Sequence, residues 1–158
     1  MKSIIIGGVA GGATAAARLR RLDEKAEIVI FEKDAYISYA NCGLPYYIGG
    51  AIKERDELLL QTPQGFKNRF EIDVRVKSEV IAIHPEKKTV RVKDLTNHSE
   101  YEESYDKLII STGAKPVKPP ISGIENEKIF SLRNVPDMDR IKSFVTGKNA
   151  TTAVIVGA

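Results

Sequence analysis

The first thirty-three residues constrain the fold more than any other stretch of this chain. Ser3 to Ile6 is a short β-branched run that enters Gly7-Gly8-Val9-Ala10-Gly11-Gly12. An Ala, Arg and Leu segment of high helix propensity follows to Leu22, and Glu27 to Phe31 is a second β-branched run. Strand, glycine loop, helix and strand in about 30 residues make a βαβ unit, the parallel crossover that opens a doubly wound sheet. Glycine in such a loop lets the backbone approach a pyrophosphate closely, and the free N–H groups at the helix start hold its negative charge. The pattern is Gly7-x-Val9-x-x-Gly12, so valine replaces the second glycine of G-x-G-x-x-G. Glu32 supplies what the loop lacks, a carboxylate at the end of the second strand that accepts both hydroxyls of an adenosine ribose. The competing reading is a Gly/Ala-rich helix packed closely on a sheet with Glu32 solvated. The correct context on both sides of the loop favours the nucleotide.

Beyond Glu32 the pattern is looser. Asn41-Cys42-Gly43-Leu44-Pro45-Tyr46-Tyr47-Ile48-Gly49-Gly50 reads as a loop with at most a short helix. Thr62-Pro63 is an N-cap followed by proline at the first helical position, which predicts a helix to about Phe70, with Glu71 to Val76 as a short strand. From Lys77 to Tyr105 the period is two. Val80, Ala82 and His84 alternate with Glu79, Ile81 and Ile83, and Thr89 to Lys93 alternates too, which predicts a three-stranded antiparallel β-meander. Lys107 to Ser111 reads as one more buried strand. Pro116, Pro119 and Pro120 exclude regular structure until about Ile124, and Asp137 to Phe144 reads as a helix. Thr152 to Gly157 repeats the pattern of Ser3 to Gly7. The fold expected is therefore α/β, a doubly wound Rossmann-like domain over 1–150 carrying the meander. Residues 151–158 read as the first strand of a second dinucleotide fold, in the amino-terminal part of a longer protein.

Composition narrows the function classes. With 158 residues, 42% hydrophobic and 28% charged, the chain has the make-up of one soluble globular domain. A net charge of +3 is too weak to predict a nucleic-acid or membrane partner. One Cys and two His exclude a disulfide framework and leave too few ligands for structural zinc, which points to a reducing, cytoplasmic setting. Ile4 to Ala17 after Lys2 resembles a signal-peptide core, but four of its fourteen residues are glycine and Arg18, Arg20 and Arg21 follow. No apolar run reaches the roughly 18 residues of a membrane span.

Three further features are candidates for chemistry. Ser111-Thr112-Gly113-Ala114 follows an apolar strand, where small residues let a second backbone segment pass close to a nucleotide; an ordinary strand-to-loop turn explains them equally well. Cys42 sits in a polar-to-apolar transition at the start of a short helix, where unpaired N–H groups stabilise a thiolate. Counted alone, a single cysteine is more often a small buried hydrophobe. Thr14, Arg18 and Arg21 share one helix face at i, i+4 and i+7, arranged either to grip phosphates of a second ligand or as a solvated basic face. His84 and His98 have no nucleophile or metal partner near them in sequence.

Taken together, Gly7 to Gly12, Phe31-Glu32-Lys33, Ser38-Tyr39-Ala40-Asn41-Cys42-Gly43-Leu44-Pro45-Tyr46 and Ser111 to Ala114 resemble the single-cysteine branch of the pyridine nucleotide-disulfide oxidoreductases, and within it the coenzyme A disulfide reductases. Tyr39 stands where phenylalanine is usual. The resemblance implies FAD held by Gly7, Gly8, Val9, Ala10, Gly11, Gly12, Glu32, Lys33, Asn41, Val80, Thr112 and Gly113, with Cys42 as the catalytic thiol. It implies NAD(P)H as co-substrate on a part beyond Ala158, coenzyme A as mixed-disulfide partner at Thr14, Arg18, Arg21, Ser38 and Asn41, and a homodimer. A small thiol disulfide is a sensible partner for a single redox thiol. Two other readings stay open: an NADH oxidase, peroxidase or persulfide reductase cycling Cys42 through sulfenate or persulfide, and a non-catalytic nucleotide-binding module.

Overall fold

The computed structural model describes residues 1–156. The chain divides into two compact units. The first comprises Met1–Tyr39 and Leu59–Gly113, the second Ala40–Leu58 and the residues from Ala114 onward.

In the first unit, β1 (Lys2–Ile6), α1 (Ala10–Leu22) and β2 (Glu27–Phe31) form the expected crossover, and β1 pairs in parallel with β2 from Lys2↔Glu27 to Ile6↔Phe31. α3 (Pro63–Phe70) begins at Thr62, whose hydroxyl accepts the Gly65 N–H at 3.0 Å, and leads into β3 (Asp73–Arg75). With β7 (Lys107–Ile110) these strands make a parallel sheet in the order β3-β2-β1-β7. A second, antiparallel sheet runs β4 (Ser78–His84), β5 (Thr89–Asp94), β6 (Glu100–Ser104).

The two faces of the parallel sheet carry separate cores, as strand alternation requires. Ile5, Ile28 and Ile30 pack with Ala13, Ala16 and Phe66 of the helices. Ile4, Ile6, Val29 and Phe31 pack against Val90 and Val92 of the meander, with Tyr101 edge-on to Phe31. Because β1 and β2 bury both faces, they read in sequence as continuous apolar runs.

Several sequence expectations need correction. β4 does not alternate throughout: its register shifts between Val80 and Ala82, so Val80 stands opposite Val92 and Ile83 opposite Val90, on one face. A bulge inserts one unpaired residue, which strict period-two counting cannot register. β7 is not buried, because it lies at the sheet edge, and Ile110 is 62% exposed. The short strand expected over Glu71 to Val76 covers only three residues, since Glu71 turns left-handed at the end of α3.

The second unit contains α2 (Leu44–Ile48), preceded by a 3-10 turn over Asn41–Gly43, and α4 (Val135–Gly147). Its buried residues include Leu44, Leu58, Val135 and Met138, and Phe130 packs on Phe144 with ring centroids 5.0 Å apart. α4 starts before Asp137, contrary to the sequence reading. Asn134 Oδ1 accepts the Asp137 N–H and Asp137 Oδ2 accepts the Arg133 N–H, each at 3.0 Å, a reciprocal cap that puts Pro136 in the first turn, where it costs no hydrogen bond. Residues 151–156 carry no regular secondary structure, and Val154, Ile155 and Val156 are exposed. The strand expected over Thr152 to Gly157 is therefore not formed in its described part, and Gly157 lies outside the described residues. No helix among the described residues is long and apolar enough to cross a membrane.

Candidate functional site

The glycine loop of the first unit is shaped by close backbone approaches. Gly7 has φ +98°, a conformation that other residues rarely adopt, and its N–H donates to the Phe31 carbonyl at 2.8 Å. A Cβ at Gly7 would overlap the Ser111 carbonyl, and one at Gly12 would overlap the carbonyl of Gly7. The Gly8 position is closed by Ile37 and that of Gly11 by the Ser111 hydroxyl. The glycines thus let the Ser111-Thr112 segment and the start of α1 come into contact with the end of β1. Val9 caps α1 without a side-chain hydrogen bond, and the first turn holds no acidic residue. The N–H groups of that turn are open to an anion.

Glu32 is buried, and both of its oxygens are oriented. Oε2 accepts the Gly8 N–H at 2.8 Å and Oε1 accepts the Asp34 N–H at 2.9 Å. Each oxygen keeps a lone pair for a hydroxyl donor. A cleft of about 130 Å³ opens beside this carboxylate, lined by Gly7, Glu32, Lys33, Val80 and Thr112 together with Ile6, Phe31, Ser78 and Glu79. Five residues assigned to a nucleotide from the sequence therefore meet in one concavity. Ser78 and Glu79 were not assigned; they enter because β4 runs past the ends of β1 and β2, a long-range placement with no local signal. A cradle that any Cβ would fill, an open helix start and an oriented carboxylate fit the pyrophosphate and ribose of FAD. Gly113, at φ +67°, lets the chain turn away after Thr112.

Ser38 also reaches this loop. Its N–H donates to the Gly8 carbonyl at 2.9 Å, and its own carbonyl accepts the Leu60 N–H at 3.1 Å, which holds Ser38 at φ +44°. Thr14, Arg18 and Arg21 are exposed on α1. Neither Arg18 nor Arg21 forms an ion pair among the described residues. Arg20 differs: it donates to the carbonyls of Phe70 at 2.7 Å, Glu24 at 2.6 Å, Glu71 at 3.2 Å and Asp23 at 3.3 Å, binding α1 to the end of α3.

Cys42 and Asn41 belong to the second unit. The thiol is exposed on the 3-10 turn, not packed as a hydrophobe. The turn is braced by Ala40 N–H to the Leu58 carbonyl at 2.8 Å and Gly43 N–H to the Ala40 carbonyl at 2.9 Å. A Cβ at Gly43 would meet the end of the Leu58 side chain, so a larger residue beside the thiol requires that side chain to shift. Asn41 Oδ1 is buried with no donor among the described residues.

The whole chain, residues 1–158, matches the family model described as pyridine nucleotide-disulphide oxidoreductase. The chain belongs to this family. The family is enzymatic and depends on FAD and NAD(P)H. Among curated relatives, the coenzyme A disulfide reductase of Staphylococcus haemolyticus is 46% identical over 157 residues, 99% of this chain and 35% of that protein. The chain thus spans about a third of the length of the curated relatives it matches. The crystal structure of reduced Bacillus anthracis CoADR-RHD superposes with a TM-score of 0.91 at 56% identity, covering 94% of this chain and 27% of that one. A NAD-dependent persulfide reductase from A. fulgidus follows at TM-score 0.89 and 40% identity, over 93% and 27%. The water-forming NADH oxidase of Lactobacillus brevis follows at 0.86 and 30%, over 94% and 32%.

Proposed function

We propose that this chain is the FAD-binding part of an NAD(P)H-dependent flavoprotein disulfide reductase that reduces coenzyme A disulfide through Cys42. The observation that carries the reading is a single exposed thiol on a braced turn, in a chain whose glycine loop and Glu32 fit a dinucleotide. The names of relatives such as the staphylococcal protein support coenzyme A as the thiol partner.

The chain's own residues divide the work. Gly7, Gly8, Val9, Ala10, Gly11 and Gly12 hold the pyrophosphate with backbone N–H groups, Glu32 accepts the ribose hydroxyls, and Lys33, Asn41, Val80, Thr112 and Gly113 complete the FAD site. When bound, FAD supplies the electron pair that NAD(P)H delivers and the disulfide consumes. The Cys42 thiolate attacks one sulfur of coenzyme A disulfide; the S–S bond breaks, one coenzyme A leaves as thiolate, and the other remains on Cys42 as a mixed disulfide. Two electrons then release the second coenzyme A and restore the thiolate. Thr14, Arg18 and Arg21 offer donors to coenzyme A phosphates, and Ser38 and Asn41 are the further residues assigned to that ligand. Residues 151–158 begin the nicotinamide-binding part.

The second reading is a persulfide reductase or water-forming oxidase, favoured by the 40% and 30% identities to solved structures with those activities. In it Cys42 carries a persulfide or a sulfenate. Comparing NADH- and NADPH-dependent turnover of the full-length protein with coenzyme A disulfide, polysulfide, oxygen and peroxide separates the two. Coenzyme A disulfide is expected to be the best acceptor, and Cys42→Ser to lower its rate about 1,000-fold or more. Negligible coenzyme A disulfide reduction by the wild-type enzyme overturns the first reading.

A further inference from the structure

The 3-10 turn that carries Cys42 runs directly into α2, which begins two residues after the thiol. At five residues α2 is far below the length at which a helix persists alone, about 12 to 15 residues. Neither the turn nor α2 has a side-chain cap at its start. The order of the segment must therefore be imposed from outside it.

We propose that Lys142 is a positioning residue for Cys42, acting by closing the carboxyl end of α2. Lys142 Nζ donates to the carbonyls of Tyr47 at 3.2 Å and Ile48 at 3.1 Å, and stands 5.4 Å from the centre of the Tyr47 ring. A cation at this end meets the negative pole of the helix; the Tyr47 carbonyl also accepts the Gly50 N–H at 3.1 Å, and Lys142 adds a second donor there and reaches the Ile48 carbonyl beside it. One turn earlier on α4, Asp139 receives a two-pronged contact from Arg55, with Nε to Oδ1 at 2.9 Å and Nη2 to Oδ2 at 2.8 Å. Lys142 and Asp139 lie at i and i−3, so one stretch of α4 grips the cysteine segment at Tyr47–Ile48 and again at Arg55. Leu44, buried at the start of α2, anchors its other end. With the carboxyl end released, α2 frays back toward the thiol, and the direction in which Cys42 is presented is lost.

The inference rests on the reading of Cys42 as the reacting thiol. Its test uses the intact chain, which contains one cysteine, so that every thiol adduct in an intact mass belongs to Cys42. Lys142→Met and Lys142→Arg are compared with wild type for amide hydrogen exchange and for the rate of Cys42 modification by iodoacetamide and by coenzyme A disulfide. Lys142→Met is expected to speed exchange in α2 about fivefold or more and to slow mixed-disulfide formation more than alkylation, because coenzyme A disulfide is bulky and must be seated against a correctly presented thiol, whereas iodoacetamide is small enough to reach it from many directions. Exchange in β1 and β2 is expected to stay unchanged. Lys142→Arg is expected to restore both rates to within about twofold of wild type. Unchanged α2 exchange and thiol rates in Lys142→Met overturn the inference, as does a Lys142→Arg variant no better than Lys142→Met. A wild-type chain that alkylates but does not react with coenzyme A disulfide contradicts the functional reading instead; the α2 exchange and alkylation comparisons still decide for or against Lys142.

Discussion

Arginines 18, 20 and 21 sit within four positions of one helix and have unlike tasks. Arg20 satisfies four backbone carbonyls and is part of the fold, whereas Arg18 and Arg21 are exposed, without an ion pair among the described residues. Removing Arg20 by Arg20→Ala is expected to cost about 2 kcal/mol in urea unfolding. The double change Arg18→Ala and Arg21→Ala is expected to cost no more than about 0.5 kcal/mol per site while weakening coenzyme A disulfide reduction by the full-length enzyme. Equal stability losses would contradict the division. The spacing of Thr14, Arg18 and Arg21 was legible because the helix period is local. The role of Arg20 was not, because two of its acceptors, Phe70 and Glu71, lie fifty residues away. Glu32 was legible as a candidate for the opposite reason: the role proposed for it follows from the strand it ends and the loop it faces, both inside the first crossover.

Among the elements, the docking of the meander on the parallel sheet depends on charge as well as on apolar packing. Glu103 of β6 receives Lys2 of β1 and, at 2.6 Å, Arg75 of β3, while Arg75 also pairs with Asp73 at 2.8 Å and lies over the Phe31 ring. Burial pushes the Glu103 carboxyl up, but the hydrogen bonds from Lys2 and Arg75 outweigh it and hold the group below its ordinary value of 4.5. The hydrogen bond to Glu103 likewise raises Lys2 above 10.5 against its burial. A carboxylate with a depressed folded value adds stability in full above its unfolded value and loses it as pH falls through the folded one; a raised ammonium does so below its unfolded value and loses it as pH rises. Glu103→Gln is therefore expected to cost about 2 kcal/mol at neutral pH, a gap that closes as pH falls below 4.5. A gap independent of pH would show that the ion pairs contribute nothing. The elements themselves were largely legible: α3 begins at the predicted Thr62 cap, the three meander strands form as expected, and β5 and β6 follow the period of two. The bulge after Val80 and the exposed edge position of β7 were not, since register and strand order are set by neighbours distant in sequence.

For the whole molecule, the contacts divide the chain into a sheet-bearing unit and a unit that joins the Cys42 segment to α4. Chain order hides that pairing, because Tyr47 and Lys142 are ninety-five residues apart. The candidate nucleotide site was legible as a proposal because the glycine loop and Glu32 lie in one local crossover. The chemistry proposed for Cys42 rests on the resemblance of its flanking residues, because a lone thiol has no spacing to read. The central claim is that this thiol exchanges with coenzyme A disulfide, and the most direct test is the intact mass of the purified chain after incubation with that disulfide, read before and after dithiothreitol. The expected result is a gain of one coenzyme A that dithiothreitol removes and that Cys42→Ser never acquires; an unmodified wild-type mass would contradict the account.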